Sequence, residues 1–258
     1  MKIPAITGII DRRILINYRI DPLVLKRVLP APFRPQLVNG MGIAGICLIR
    51  LSALRPKWLP YLPGWASENA AHRIAVEWER EGELFRGVYI PRRDSSSRMT
   101  VWVGGRLFPG VHHHATFHVK DRQHSIDLSV ESDDKQVQLA VVARMADDLP
   151  ADSLFTSLKQ ASDFFEAGSI GYSATRDEGQ FDGLELRTRE WQVVPLQVQS
   201  LHSSFFDDTN RFPAGSAQLD CALLMRGIRH EWHSQPQLCG STDRRSEQSL
   251  EPQPAQAR

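Results

Sequence analysis

Histidines cluster in the run His112-His113-His114-Ala115-Thr116-Phe117-His118. If this run is a strand, side-chain alternation puts His112, His114, Thr116 and His118 on one face and His113 on the other. Imidazoles gathered on one face have the type and spacing for metal ligation or for a proton relay, because imidazole ligates transition metals and titrates near neutrality. A closed metal site also needs further ligands and oriented second partners, and no carboxylate lies beside this run. Glu77, Asp127 or Glu231 would have to be brought to it by the fold. The expectation is therefore a polar strand face, wet or lining a cavity, with neither a metal nor another cofactor.

Other residue types suggest weaker chemistry. Glu68 has the carboxylate of an acid or base, and Arg73 and Arg106 have the guanidinium that clamps a carboxylate bidentately. Arg92-Arg93-Asp94-Ser95-Ser96-Ser97 combines cations with small hydroxyls, and a turn with a helix N-cap explains it more simply than an anion site. His230-Glu231-Trp232-His233 is not H-E-x-x-H, and residues three apart share a helix face but not a strand face, so it reads as a domain-end strand. Ser203 and Ser204 lack the G-x-S-x-G elbow of a hydrolase, and Asp207-Asp208-Thr209-Asn210 lacks the ligand register of a calcium loop. Six tryptophans are scattered along the chain and read as core or cavity wall, with no stacking platform for nucleic acid.

Composition narrows the class. The 258 residues carry 31 basic and 30 acidic side chains, for a formal charge of +1, so no global field recruits nucleic acid or an anionic membrane. Cys47, Cys221 and Cys239 form no C-x-x-C pair, which suits a reducing compartment, and Cys47 and Cys221 lie in apolar runs that read as core. No run approaches the roughly 20 apolar residues of a membrane span, and the N-terminus lacks a signal-peptide core, so a soluble, cytoplasmic protein is expected. Apolar residues almost vanish after residue 234, which predicts one folded domain over residues 1–234 and a disordered tail over 235–258.

The elements that must position these residues are mostly strands. A short helix is expected from Asp21-Pro22 to Leu29, a second from Asp152 to Glu166 ending at Gly168, and a third from Ser96 to Val103. Period-two alternation marks a meander through Ala115/Phe117/Val119, Ile126/Leu128/Val130 and Val137/Leu139/Val141. Further strands are expected at Arg13 to Ile20, Met41 to Leu51, Ala70 to Trp78, Leu84 to Pro91, Gly183 to Arg189, Val193 to Leu201 and Ala217 to Ile228. Many strands with few short helices argue for an α+β chain built on a closed or strongly curved sheet.

Several segments resemble, in order, the YqjF-like family of unknown function, within the acetoacetate decarboxylase-like superfamily. They are Asp21-Pro22-Leu23-Val24-Leu25, Leu29-Pro30, Glu68-Asn69-Ala70-Ala71-His72-Arg73, Gly87-Val88-Tyr89-Ile90-Pro91-Arg92-Arg93-Asp94, Ser203-Ser204-Phe205-Phe206-Asp207-Asp208 and Leu223-Leu224-Met225-Arg226. The resemblance implies a cone-shaped antiparallel β-barrel with flanking short helices and an internal ligand cavity. It also implies that Glu68 and Arg73 belong to a charged cavity wall.

In the decarboxylases a Gly-Arg opening precedes a lysine that forms a Schiff base, for which an amine is chemically required. Gly105-Arg106 matches that opening, but the lysine positions fall on or near His112 to His114, and imidazole forms no such iminium. Schiff-base decarboxylation is not expected unless Lys120 reaches the cavity. The resemblance thus points to Glu68, His113 and His114 as catalytic candidates and to Arg73 and Arg106 as substrate-binding ones. The leading reading is a small-molecule-binding barrel that lacks the Schiff-base lysine and takes a small apolar carboxylate or oxo-acid. The alternatives are a lyase or hydrolase using His/Glu/Arg acid-base chemistry in the same cavity, and a non-catalytic structural or interaction scaffold. A homo-oligomer is compatible with the superfamily.

Overall fold

Strand β1 (Ile6–Ile20) carries β-branched isoleucines at alternate positions and buries both of its faces over its second half, with Ile14, Ile16 and Tyr18 entering one apolar cluster and Leu15 another. The computed structural model describes residues 5–103 and 109–240. After β1 come α1 (Pro22–Val28), two short strands β2 (Arg34–Pro35) and β3 (Leu37–Val38), and the long strands β4 (Met41–Pro56), β5 (Trp65–Arg80) and β6 (Glu83–Ser95). Then follow α2 (Arg98–Val103), the meander β7 (His112–Asp121), β8 (Ser125–Ser132) and β9 (Gln138–Met145), and α3 (Leu158–Ala167). The chain continues through β10 (Ile170–Ala174), β11 (Gln180–Thr188), β12 (Val194–Ser203) and β13 (Ala217–Cys239).

Pairing closes the sheet on itself twice. One circuit runs β6-β7-β8-β9-β12-β13-β1-β4-β5 and returns to β6; the other runs β6-β10-β11-β13-β1-β4-β5 and also returns to β6. Closure removes exposed edges, and it makes β13, β1, β4, β5 and β6 a wall common to both circuits. The expected antiparallel barrel is correct except at two seams, where β6 pairs in parallel with β7 and with β10. Parallel neighbours need a crossover, and α2 lies in the connection that leads to β7 while α3 lies in the one that leads to β10.

The larger circuit is filled. Ile14, Ile46, Ile74, Leu128, Val141 and Leu224 meet inside it, each at most 2% exposed. The turn after β12 adds a plug in which Phe206 stacks on Tyr18 at 4.2 Å and Phe205 stacks on His72 at 4.3 Å. On the other side of the common wall, Phe155, Ala161 and Phe165 from α3 and its approach cover Leu15, Ile43, Cys47, Ala75, Cys221 and Leu223.

Local signals explain the helix ends. Asp21 caps α1 by accepting the Leu23 N–H at 2.7 Å, with proline in the first turn, as expected. Helix α3 starts later than expected, at Leu158 with Ser157 as its cap, because the preceding residues are held elsewhere. Ser153 Oγ donates to Asp220 at 2.9 Å and the Leu154 N–H donates to the same carboxylate at 2.8 Å, so that stretch is spent as a turn. The ordered chain also outlasts the expected boundary at residue 234. Strand β13 runs to Cys239, paired with β11 through Gln180, because a polar strand is held by its ladder even when its side chains bury little. The remainder of the expected tail, residues 241–258, lies outside the described residues.

Candidate functional site

Register builds the site. One row of facing residues crosses five strands: Leu15 in β1, Cys47 in β4, Ala71 in β5, Arg93 in β6 and His112 in β7. The row on one side is Asn17, Gly45 and Arg73, and the row on the other is Arg13, Ile49, Asn69 and Ser95. Facing residues in neighbouring strands point to the same side of a sheet. Gly45 permits close approach of β4 and β1, since a Cβ there would lie 2.1 Å from the Ile16 carbonyl oxygen. Above these rows is a cavity of about 140 Å³, roofed by Gly168, Ser169 and Gly171 and by Leu184 and Leu186 of β11. Its wall is largely apolar, with the arginines, Asp94, His112 and a few small polar residues as exceptions.

Arg13, Arg73 and Arg93 all line this cavity. Arg73 is 7% exposed; its guanidinium donates to Asn17 Oδ1 and lies 4.9 Å from the centre of the Phe165 ring. Its Nε, also buried, has no hydrogen-bond partner among the described residues. Arg93 Nε donates to Ser173 Oγ at 3.0 Å, and Arg13 Nε donates to Cys47 Sγ at 3.3 Å while its guanidinium lies 5.5 Å from the Trp191 ring. Among the described residues, no carboxylate oxygen comes within 4.0 Å of any of the three. Burial pushes the pKa of both Arg73 and Arg93 down from 12.5 to about 10, which leaves them cationic near neutrality. A largely apolar space is thus bordered by three guanidinium groups, none with a carboxylate oxygen within 4.0 Å among the described residues; Asp94, which also borders it, is paired with Arg92.

His112 borders the same space, and its Nδ1 lies 3.2 Å from the Gly110 carbonyl oxygen. That contact puts the ring proton on Nδ1 as a donor. Burial, and next the charge of Arg93, push its pKa down to about 3, so the ring is neutral at physiological pH.

The residues expected to act together are separated. Glu68 and Arg73 are five apart on one strand, an odd spacing, and so face opposite sides of β5. Glu68 turns from the cavity into an ion-pair network, 2.6 Å from Arg12 and 3.2 Å from Arg50, in which Arg12 also reaches Asp121 at 3.3 Å. His113 lies 3.1 Å from Asp134 and His114 lies 2.9 Å from Asp133, and neither lines the cavity. Both carboxylates come from the β8–β9 turn, whose proximity to β7 draws these rings outward. Arg106 lies outside the described residues. Of the residues expected to touch a ligand, Arg73 is at the cavity.

Sequence reasoning missed Arg13 and read Arg93 as a turn residue; Cys47 is core as expected, but its place at the cavity was not foreseen. Arg93 is a strand residue, and Cys47, though only 7% exposed, lines the cavity. For Arg13 and Cys47 the signal lay in alternation, since each sits where an apolar strand turns one side chain away from the filled circuit; Arg93 reaches that face only through a register shift in the β5–β6 ladder. Trp78 is core and Trp232 is cavity wall, whereas Trp58 and Trp102 are exposed, against the expectation that the tryptophans are core or cavity wall. Among the described residues, no group of three or more His, Cys, Asp or Glu is placed to hold a metal ion, and no helix is long and apolar enough to cross a membrane.

A sheet closed through β5–β6, with a small cavity against one face of its common wall, defines an acetoacetate decarboxylase-like fold. Similar solved structures include an acetoacetate decarboxylase from Legionella pneumophila, at 11% identity and a TM-score of 0.60, covering 90% of this chain and 87% of that one. The enduracididine biosynthesis enzyme MppR, complexed with pyruvate, matches at 10% identity and a TM-score of 0.54, covering 92% and 90%. An acetoacetate decarboxylase-like enzyme from Sphingomonas wittichii matches at 10% identity and a TM-score of 0.52, covering 92% and 91%. At these identities the likeness is one of fold. The chain belongs to the DUF2071 family of uncharacterized conserved proteins, whose model matches residues 10–228. No curated protein sequence matches it.

Proposed function

We propose that this protein binds a small carboxylate, an apolar acid or a 2-oxo acid, in the cavity lined by Arg13, Arg73 and Arg93. The observation that carries this reading is the charge imbalance: three buried or half-buried guanidinium groups share one apolar space with no carboxylate within 4.0 Å among the described residues. Elsewhere in the same fold buried arginines are paired, as Arg12 is with Glu68 and Arg92 with Asp94. An uncompensated buried cation is costly, and an anionic ligand supplies the missing partner. A cavity of about 140 Å³ suits a ligand of roughly six non-hydrogen atoms, the size of benzene. The pyruvate complex of MppR is consistent with that class.

Binding without Schiff-base decarboxylation is the form we favour. None of the described lysines, Lys26, Lys57, Lys120, Lys135 and Lys159, lines the cavity. The acid-base alternative loses its carboxylate, because Glu68 is ion-paired on the far face of β5. The purely structural reading leaves the unpaired arginines without an explanation.

Calorimetric titration with pyruvate, acetoacetate and butyrate, each beside its neutral amide or alcohol analogue, tests the reading. The carboxylates are expected to bind and raise the melting temperature, and the neutral analogues to do neither. Equal behaviour of acids and neutral analogues, or no binding by any of them, overturns it. Borohydride added with acetoacetate is expected to leave the intact mass unchanged, and a trapped lysine adduct would restore the decarboxylase reading.

A further inference from the structure

We infer that Cys47 is a nucleophile of this cavity, which adds reversibly to the C2 carbonyl of a bound 2-oxo acid. The inference rests on the carboxylate-binding reading and specifies the ligand within it.

Three thiols occupy three environments. Cys221 is 1% exposed and, like Cys47, packed beneath α3, but it does not border this cavity, and burial, followed by the charge of Asp220, pushes its thiol up to about 12. Cys239 is exposed at the end of β13. Cys47 alone lines the cavity, in the middle of the arginine rows: Arg13 and Arg73 flank it diagonally on the neighbouring strands β1 and β5, and Arg93 lies two strands away in its own row. Arg13 Nε donates to its sulfur at 3.3 Å. Cys47 is itself only 7% exposed, but it borders the cavity beside these cations, and an electropositive setting of that kind is where cysteines react.

A second feature points independently to a ligand. Arg73 is 7% exposed, faces this cavity and keeps a buried Nε without a hydrogen-bond partner among the described residues. An acceptor is needed there, and a carboxylate supplies one. A carboxylate held by arginines beside Cys47 brings the carbon next to it toward the sulfur, and in a 2-oxo acid that carbon is electrophilic.

The step balances without an oxidant or a further reactant. The sulfur–C2 bond forms, the carbonyl π pair moves onto oxygen, and the proton given up by the thiol ends on that oxygen, leaving a thiohemiketal. Reversal restores thiol and ketone. The guanidinium groups face the negative charge as it passes from sulfur to oxygen, which is the preorganised arrangement that favours such a transfer.

The test uses the full chain and pyruvate labelled with carbon-13 at C2. In the wild-type protein a bound resonance is expected in the tetrahedral region; in Cys47→Ala it is expected to be lost, while butyrate still binds. Butyrate and pyruvate binding with only the ketone resonance overturns the inference and leaves the carboxylate reading standing, whereas failure of every carboxylate to bind removes both. Should Cys47→Ala fail to fold, peptide mapping of the wild type after limited alkylation decides. The arginines should make Cys47 react about tenfold faster with iodoacetate than with iodoacetamide, while exposed Cys239 prefers the neutral reagent. A Cys47 that resists both reagents until denaturation, or shares the preference of Cys239, overturns the inference.

Discussion

Arg12 and Arg13 are adjacent, as are Arg92 and Arg93, yet within each pair the two side chains have opposite fates. Arg12, 1% exposed, reaches Glu68 and Asp121, and Arg92 reaches Asp94 at 2.7 Å and Asp134 at 2.8 Å. Their neighbours cross to the other side of the same strands, where they border a cavity and, among the described residues, have no carboxylate oxygen within 4.0 Å; Asp94, which also borders the cavity, is held by Arg92. One face of the common wall is thus electrostatically complete and the other is not. The first holds the fold together, and the second is where an outside anion has something to gain.

Breaking the complete face should have the largest effect. Arg12→Ala removes a buried partner common to Glu68 and Asp121, which keep Arg50 and Arg226, and losing such charge-assisted hydrogen bonds costs about 1.5–3 kcal/mol. Urea unfolding is expected to show that loss, with carboxylate affinity retained in the fraction that folds. Arg93→Met should do the reverse. It removes an uncompensated cation, so unfolding stability should change by less than about 1 kcal/mol, while carboxylate binding weakens at least about tenfold, as 1.4 kcal/mol of lost ion pairing implies. If Arg93→Met unfolds the protein and leaves binding intact, the contrast between the faces is wrong.

Acid separates the faces more finely. His72, in the filled circuit, and His112, at the cavity, are each pushed by burial from 6.5 down to about 3. For both, the unfolded chain takes up a proton between those values that the folded chain refuses. Stability contributed by the neutral rings is therefore complete above 6.5 and is lost progressively as pH falls toward 3. His72→Leu should flatten this dependence whether or not ligand is present. The His112 share should respond to ligand, because a carboxylate beside Arg93 offsets the second cause of its lowered pKa. Chemical unfolding at pH 7 and at about pH 5, with and without butyrate, measures both.

Much of the fold was legible because alternation and turn residues agree along the meander and the long strands. Strand β10 escaped notice because Ile170-Gly171-Tyr172-Ser173-Ala174 has weak β propensity and is held by antiparallel pairing with β11 and parallel pairing with β6 rather than by local pattern. The site was half legible. That Glu68 and Arg73 could not share a face followed from their odd spacing once both were assigned to one strand. The placing of Arg93 rather than Arg92 at the cavity did not follow. The β5–β6 ladder shifts register between His72 and Ile74, so the face that carries Val88 and Ile90 is continued by Arg93, three residues on. Such a bulge reverses parity and leaves no mark in composition.

Lys120 gives the smallest expected effect and the cleanest limit on the comparison. It stands at the end of β7, its side chain is 74% exposed, and it meets Asp127 at 3.3 Å on the outside of the meander. An exposed pair of this kind is screened and loses side-chain freedom when it forms, so Lys120→Ala should shift stability by no more than about 0.5 kcal/mol. Carboxylate affinity should not move, since the side chain lines neither the cavity nor the ion-pair network of Arg12. Titrating the variant with butyrate and comparing its urea midpoint with wild type checks both. A loss of binding in Lys120→Ala would mean that the amine reaches the cavity after all, and the divide between a paired face and an anion-seeking face would have to include a lysine on the anion-seeking side.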